Sequence, residues 1–471
     1  MGYLGKKGYT MKKESFSHTE LKALKKDLMM APYIPNAPVQ GSGFEIYRES
    51  SSKIYVPRYY GIQHYGEPSE SRLGEHDKIN LEFVGDLRDY QKNIVKAYME
   101  KSCEGGGLLE IPCGRGKTVM GLKILQELGV KTLIIVHKGF LLNQWVERIE
   151  QFLPNAKVGR IQGQILDIEG KDIVIGMLQS LSMKDYPDAM FDSFGLTIVD
   201  EVHHIAAEVF VRSLYKIVTP YMLGLSATMQ RKDGLSKVFK LFLGEVIYKE
   251  KPTMEHKVLV KAIEFQSADE EFNTVVYDYR GNPQYSTMIS KLCNFYDRSN
   301  FILKVLKKSF LSDSSQQFIV LAHNKSLLTY LYKAIEEDGY ATVGYYVGGM
   351  KDKALKESEL KNIIIATYSM ASEALDIKTL TTLLMATPKT DITQSIGRIL
   401  RTKHTQPVVI DIYDKHELFQ RQFAKRKLYY HKQKYEIIAT TNKNYDSGIW
   451  EPIVKGKKGK NVEDTIGKCL I

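Results

Sequence analysis

Ile111-Pro112-Cys113-Gly114-Arg115-Gly116-Lys117-Thr118 is the stretch that decides how this chain is read. Before it, Leu108–Ile111 has the length and composition of a short buried strand; after it, Val119–Leu128 reads as a helix. A glycine loop at such a junction lets backbone N–H groups approach phosphate oxygens, and the following helix directs its positive end at them. Lys117 places a point charge on the β- and γ-phosphates, and the Thr118 hydroxyl can ligate Mg²⁺. The strict pattern asks for glycine at the first position, where this chain has Ile111. Taken alone, the motif also fits a glycine-rich strand–helix turn.

Three further segments bear on that choice. Asp200-Glu201-Val202-His203 follows the apolar run Thr197–Val199, so its acids sit at a strand's C-terminal end, where open α/β sheets bind ligands. There Asp200 can hold Mg²⁺ and Glu201 can polarise an attacking water. An isolated tetrad of this kind is ordinarily a surface turn, but its place downstream of the glycine loop in the same α/β unit favours the chemical reading. Gly224-Leu225-Ser226-Ala227-Thr228 ends another strand-like run, and Ser226 and Thr228 can relay nucleotide state from the acidic loop. Far downstream, Gln394-Ser395-Ile396-Gly397-Arg398-Ile399-Leu400-Arg401 places two arginines three residues apart on one helix face. Two rigid, permanently charged forks suit the charge that develops on a γ-phosphate.

The surroundings are those of an α/β protein. Thr132–Val136, Asp172–Ile175, Thr197–Val199 and Met222–Leu225 are short apolar runs separated by helix-compatible stretches, the pattern of a parallel sheet covered on both faces. The alternation repeats in Phe318–Leu321, Ala341–Tyr346, Asn362–Ala366, Thr382–Ala386 and Val408–Ile412. Between the two units, Val258–Phe265 and Thr274–Tyr279 read as strands and Tyr285–Lys308 as a helix. The chain has 471 residues, 43% hydrophobic and 26% charged, with a formal charge of +11 that suits a polyanionic partner. Cys103, Cys113, Cys293 and Cys469 form no metal-spaced pair, so neither a zinc site nor a disulfide framework is indicated, and reduced thiols fit an intracellular protein. The apolar runs are of strand length, and neither a membrane span nor a signal peptide is expected.

In order and in placement, these segments resemble motifs I, II, III and VI of superfamily 2 helicases. Leu87-Arg88-Asp89-Tyr90-Gln91 resembles the Q-motif, His137–Trp145 motif Ia, Gln179–Ser180 motif Ib and Ala366–Asp376 motif V. Arg231-Lys232-Asp233 after Ser-Ala-Thr resembles the RED element of the XPB branch, and Pro112-Cys113 points the same way. Within that branch the likeness is to the XPB-like helicases of large DNA viruses, related to the poxvirus transcript-release helicase; Tyr47–Ser50 and Tyr55–Gly61 resemble that group as well. Three positions depart from the pattern: Ile111, Ala374 in place of the usual motif V glycine, and Lys232 in place of the RED acid.

The resemblance implies two tandem RecA-like α/β domains with small N- and C-terminal accessory regions. The expected division is an accessory, nucleic-acid-contacting region at 1–80, a first RecA-like domain at 81–250 that binds ATP, and an inter-domain segment at 251–310. The second RecA-like core follows at 311–415 and a basic extension at 416–471. It implies catalytic roles for Lys117, Asp200, Glu201, Arg398 and Arg401. Nucleotide contacts fall to Gln91, Gly114, Arg115, Gly116, Lys117, Thr118 and Asp376, and Mg²⁺ to Thr118 and Asp200. Nucleic acid is assigned to Lys138, Gln179, Ser180, Arg231, Asn324 and Thr367, and coupling to Ser226, Thr228 and Gln394.

The function implied is an ATP-dependent motor moving 3′→5′ along DNA, duplex or single-stranded. It would act as a monomer, in viral transcription or repair, inside the host cytoplasm or viral factory or packaged in the virion. RNA is the alternative track. A non-motor nucleotide-binding scaffold is a third reading, disfavoured because such a scaffold has no need of all five catalytic residues. In Arg421–Lys434, basic residues interleave with Phe423, Tyr429 and Tyr430, which suits either base stacking or a helix packed on the second unit. Arg48–Tyr60 is expected either to grip a duplex or to form a small β-rich cap.

Overall fold

The structure is a computed structural model that describes residues 2–454 apart from 34–40, 113, 188, 230, 232, 251–256, 374, 376 and 401–405. It divides into two compact units, Met1–Pro252 and Thr253–Ile471.

The first unit opens with a small antiparallel sheet, β1 (Tyr3–Gly5), β2 (Gly8–Lys12), β3 (Arg48–Glu49) and β4 (Lys53–Val56), in the order β1-β2-β4-β3. Helix His18–Asp27 beside it starts at a capping box, with Ser17 and Glu20 each satisfying the other's backbone N–H. Tyr9, Met11, Ile54 and Val56 share one buried cluster with Phe210, Tyr215, Phe239 and Phe242 of the α/β core. The Tyr215 hydroxyl donates to the Ile46 carbonyl at 2.5 Å, and the Arg48 guanidinium lies 4.9 Å from the centre of the Tyr215 ring. Arg48 therefore faces inward, and Tyr47 and Tyr60 are buried. These contacts make Arg48–Tyr60 a cap packed on the first α/β sheet.

That sheet comprises β5 (Gly106–Glu110), β6 (Thr132–Val136), β7 (Val158–Gln162), β8 (Ile165–Asp167), β9 (Ile173–Met177), β10 (Leu196–Val199), β11 (Tyr221–Ser226) and β12 (Val246–Lys249). The order is β8-β7-β9-β6-β10-β11-β5-β12, parallel throughout except for the β7–β8 hairpin. Alternate residues of one strand feed opposite cores: Leu133 and Ile135 join one cluster, Ile134 and Val136 the other. Burial on both faces explains why β5, β6 and β10 read as continuous apolar runs. The sequence pattern did not reveal β7 or the edge strands β8 and β12, which carry half-exposed or polar residues such as Arg160 and Gln162.

The second unit holds β13 (Leu259–Phe265), β14 (Gln317–Ala322), β15 (Val343–Tyr346), β16 (Ile363–Thr367), β17 (Leu380–Met385), β18 (Val408–Asp414), β19 (Glu436–Thr441) and β20 (Glu451–Pro452). The order is β15-β16-β14-β17-β18-β13-β19-β20, with only the β19–β20 pair antiparallel. Both flanks of the expected 311–415 core thus enter its sheet: β13 from the segment expected between domains, and β19 and β20 from the expected extension. Two fully buried ion pairs pin them to β18. Arg298 donates to both Asp414 oxygens at 2.6 and 2.8 Å and to the Ala386 carbonyl at 2.7 Å. Arg426 donates to both Asp411 oxygens at 2.8 Å. A bidentate fork satisfies each carboxylate, as burial of a charge requires.

Other local expectations change for identifiable reasons. Helix Tyr285–Lys308 is two helices, Tyr285–Asn294 and Tyr296–Ser312, because Phe295 adopts an extended backbone and stacks on Phe272 at 4.2 Å. Thr274–Tyr279 forms no strand; only an isolated bridge joins Tyr277 to Pro283. In helix Glu417–Lys432, Phe423 stacks on Tyr413 at 3.9 Å and Tyr430 donates to Asp411 at 2.8 Å. Those two rings and Arg426 belong to the unit's interior, which leaves base stacking no access to them.

Candidate functional site

The glycine loop follows β5. Gly114 and Gly116 have φ of 78° and 81°, the left-handed region where a side chain is strained, and a Cβ at Gly116 would stand 2.5 Å from Gln91 Nε2. Gln91 is buried and holds the loop: its amide nitrogen donates to the Arg115 carbonyl at 3.1 Å, as does the Tyr90 hydroxyl. Helix Lys117–Leu128 starts directly after the loop, two residues earlier than its periodicity predicts, so Lys117 and half-buried Thr118 both lie in its first turn.

The Lys117 ammonium crosses to the end of β10 and donates to Glu201 Oε1 at 2.8 Å. Beside it, Asp200 Oδ2 accepts from the Trp145 indole N–H at 2.8 Å and Oδ1 from the Glu201 backbone N–H at 2.9 Å. Burial raises the Asp200 carboxyl above its ordinary range and the Glu201 charge adds to this, while Lys117 and Trp145 oppose it. Burial also works against ionisation of Glu201, yet Lys117, with help from His203, outweighs it and holds that carboxyl below its usual range. The two acids are thereby set apart, Glu201 losing its proton more readily than Asp200. Its φ of 47° puts a non-glycine residue in left-handed backbone, strain of the kind concentrated at functional sites.

His203 joins this acid pair to the Ser226–Thr228 loop. The Ser226 hydroxyl donates to the Thr228 carbonyl at 2.5 Å, so it accepts from His203 Nδ1–H at 2.8 Å. Burial holds His203 down to about 3, leaving it neutral in that tautomer. Arg231, expected on nucleic acid, instead braces the same turn. It donates to the His203 and Ile205 carbonyls at 2.7 Å each and to Asp233 Oδ1 at 2.9 Å, with its plane over Phe239. These contacts turn its fork inward, toward the His203 turn.

The remaining expected contacts lie at strand C-termini. In the first unit Lys138 caps helix Gly139–Phe152 after β6, Gln179 donates to the His137 carbonyl at 2.8 Å, and Ser180 accepts from the Gly163 N–H at 2.9 Å. In the second, Asn324 caps helix Lys325–Asp338 after β14, and Thr367 ends β16 next to it. Arg398, in helix Thr393–Ile399 with half-buried Gln394, is buried and donates to the Leu375 carbonyl at 2.6 Å. Asp376 and Arg401 lie outside the described residues. The motifs do not single out Trp145, His203 or Tyr90, although all three lie inside them, because their partners are distant in sequence.

A glycine loop, an acid pair and a hydroxyl-bearing loop at the C-terminal ends of one parallel sheet, with a second parallel sheet in the same chain, define a P-loop motor of the tandem RecA-like type. Residues 85–231 match the family described as type III restriction enzyme, res subunit. A protein of Acanthamoeba polyphaga mimivirus, provisionally named ATP-dependent RNA helicase L396, is 35% identical over 444 residues, 91% of this chain and 85% of its own. The similarly named QP509L of African swine fever virus (isolate Pig/Kenya/KEN-50/1950) is 27% identical over 402 residues, 78% of each chain. The DNA 3′-5′ translocase XPB2 of Sulfurisphaera tokodaii is 33% identical over 199 residues, 41% of this chain and 43% of its own. The crystal structure of T4 UvsW aligns over 90% of this chain and 96% of its own at 18% identity, with a TM-score of 0.34. The chain belongs to the XPB-like superfamily 2 helicases of large DNA viruses and is an ATP-hydrolysing helicase.

Proposed function

We propose that this helicase moves 3′→5′ along DNA, with ATP bound by the Gly114–Thr118 loop and with Arg398 and Arg401 serving in its hydrolysis. The observation that carries the catalytic half is the 2.8 Å contact of Lys117 with Glu201, beside Asp200. It puts the phosphate-binding cation and the water-activating carboxylate within one hydrogen bond of each other. In the reaction Lys117 turns to the phosphates and frees Glu201, which its low pKa keeps available to orient and polarise the attacking water.

No group of three or more His, Cys, Asp or Glu among the described residues forms a metal cage. That suits Mg²⁺, which takes one or two protein oxygens and completes its shell with phosphates and water. Asp200 and Thr118 are the hard oxygen donors for it, and when bound it neutralises charge on the phosphates. Among the described residues, no helix is long and apolar enough to cross a membrane. DNA as the track and 3′→5′ as the polarity rest on the 33% identity with a protein named as a DNA 3′-5′ translocase. Work as a monomer in viral transcription or repair, in the host cytoplasm, viral factory or virion, belongs to the same reading.

RNA as the track is the second reading, favoured by the names that the mimivirus and African swine fever virus relatives carry. ATP turnover with duplex DNA, single-stranded DNA and RNA, followed by strand displacement on 3′- and 5′-tailed substrates, separates the two. Stimulation by RNA alone refutes the DNA reading, and displacement from 5′ tails refutes the polarity. Lys117→Ala and Glu201→Gln should each lower turnover by about 10²-fold or more. Wild-type rates in both would remove the motor from this site.

A further inference from the structure

Arg115, between the two loop glycines, is held from three directions. Its carbonyl accepts from Tyr90 and Gln91, its guanidinium lies 3.7 Å from the centre of the Tyr90 ring, and its Nε donates to Glu250 Oε1 at 2.9 Å, with Nη2 on the same oxygen. Glu250 directly follows edge strand β12, and its backbone N–H donates to the Glu110 carbonyl at 2.9 Å where β5 enters the glycine loop. It stands two residues before the boundary of the first unit at Pro252.

The Glu250 side chain is 7% exposed, and that of Arg115 23%. Withdrawing Arg115 would leave a buried carboxylate without its cation, a strongly unfavourable arrangement, so the two are constrained to move together. The guanidinium's pKa is raised, chiefly by its hydrogen bond to Glu250.

We propose that Glu250 is a positioning residue of the ATPase. By gripping Arg115 it makes the shape of the phosphate loop depend on the chain leaving the first unit, and so transmits nucleic-acid binding to ATP turnover. The proposal rests on the reading that the Gly114–Thr118 loop holds the phosphates of ATP. Glu250 touches neither substrate nor reacting atoms; its effect passes through Arg115. Strain that nucleic-acid binding places on β12 shifts Glu250, and the loop amides follow.

The test compares Glu250→Gln, Glu250→Asp and Arg115→Lys in the full chain, measuring basal and nucleic-acid-stimulated ATP turnover, KM for MgATP and the thermal melt. Glu250→Gln should reduce the stimulation ratio by about fivefold or more and raise KM about three- to tenfold, with basal kcat within about twofold. Glu250→Asp, which keeps the charge, should retain at least half of the stimulation, and Arg115→Lys, which loses the fork, should lose stimulation as Glu250→Gln does. An unchanged ratio in folded Glu250→Gln overturns the proposal, and so does an equal fall of basal and stimulated rates, the mark of a merely structural role. Should Glu250→Gln fail to fold, the stimulation ratio of Arg115→Lys decides in its place. Lys117→Ala tests the underlying reading separately: retained turnover there removes the phosphate assignment whatever Glu250 does.

Discussion

Trp145→Phe removes the indole N–H, and with it the fused five-membered ring, but keeps an aromatic ring in place, and the structure states what that N–H does. Among the described residues the indole N–H is the only side-chain donor to Asp200, at 2.8 Å, and both groups are buried. A hydrogen bond to a charged acceptor contributes about 1.5–3 kcal/mol, and one pKa unit corresponds to about 1.4 kcal/mol. Losing it should lift the Asp200 carboxyl, already raised by burial, by a further one to two units or so. Because Asp200 must be ionised to hold Mg²⁺, the acid limb of kcat/KM for MgATP, which reports the free enzyme, should move to higher pH by that amount. The direction follows from the sign: a higher carboxyl pKa keeps the group neutral over more of the acid range. The assay is ATP turnover from pH 5 to 9, with a melt to show that the variant is folded. An unmoved acid limb in a folded Trp145→Phe protein refutes the role assigned to the indole.

Arg426→Met should leave the Asp411 carboxylate buried without its cation, costing about 3–5 kcal/mol and lowering the melting transition by roughly 10 °C. Arg426→Met with Asp411→Leu should recover most of that loss, and a double variant no better than the single contradicts the pairing. Arg231→Ala should slow stimulated turnover several-fold but leave the salt dependence of nucleic-acid binding unchanged, because the side chain faces the His203 turn. A salt slope smaller by about one would return Arg231 to the phosphate backbone. His203, held neutral down to about 3 against 6.5 for a free imidazole, should make the wild type lose up to about 1.4 kcal/mol per pH unit as pH falls below 6.5. The unfolded chain gains a proton there that the folded chain refuses. In a urea-melt pH series, His203→Asn should flatten that slope relative to wild type.

Much of the fold was legible because buried parallel strands announce themselves locally. Thr132–Val136 coincides with β6, and the other core strands fall within about two residues of their apolar runs. The flanks misled for a local reason too. Leu259–Phe265 includes Lys261 and Glu264, and Glu417–Lys432 is dense in lysine and arginine, so neither resembles a core element by composition. Only their partners on β18 reveal that the strand belongs to the second sheet and that the helix packs on it. Arg231 carried no sign of its direction, because an arginine after a loop reads alike whether its fork meets phosphate or backbone carbonyl oxygens.

By itself, then, the amino-acid order determined what contiguous residues can encode: strand and helix periods, the loop glycines, and which side chains have the chemistry for phosphate, metal and water. The tertiary structure decided the pairings: Lys117 with Glu201 across 84 residues, Arg298 with Asp414 across 116, and Arg115 with Glu250 across 135. The physical reason is that a charge's need for a partner is written at its own position. Which opposite charge meets it follows only when the sheet brings distant strand ends together and burial makes the meeting obligatory.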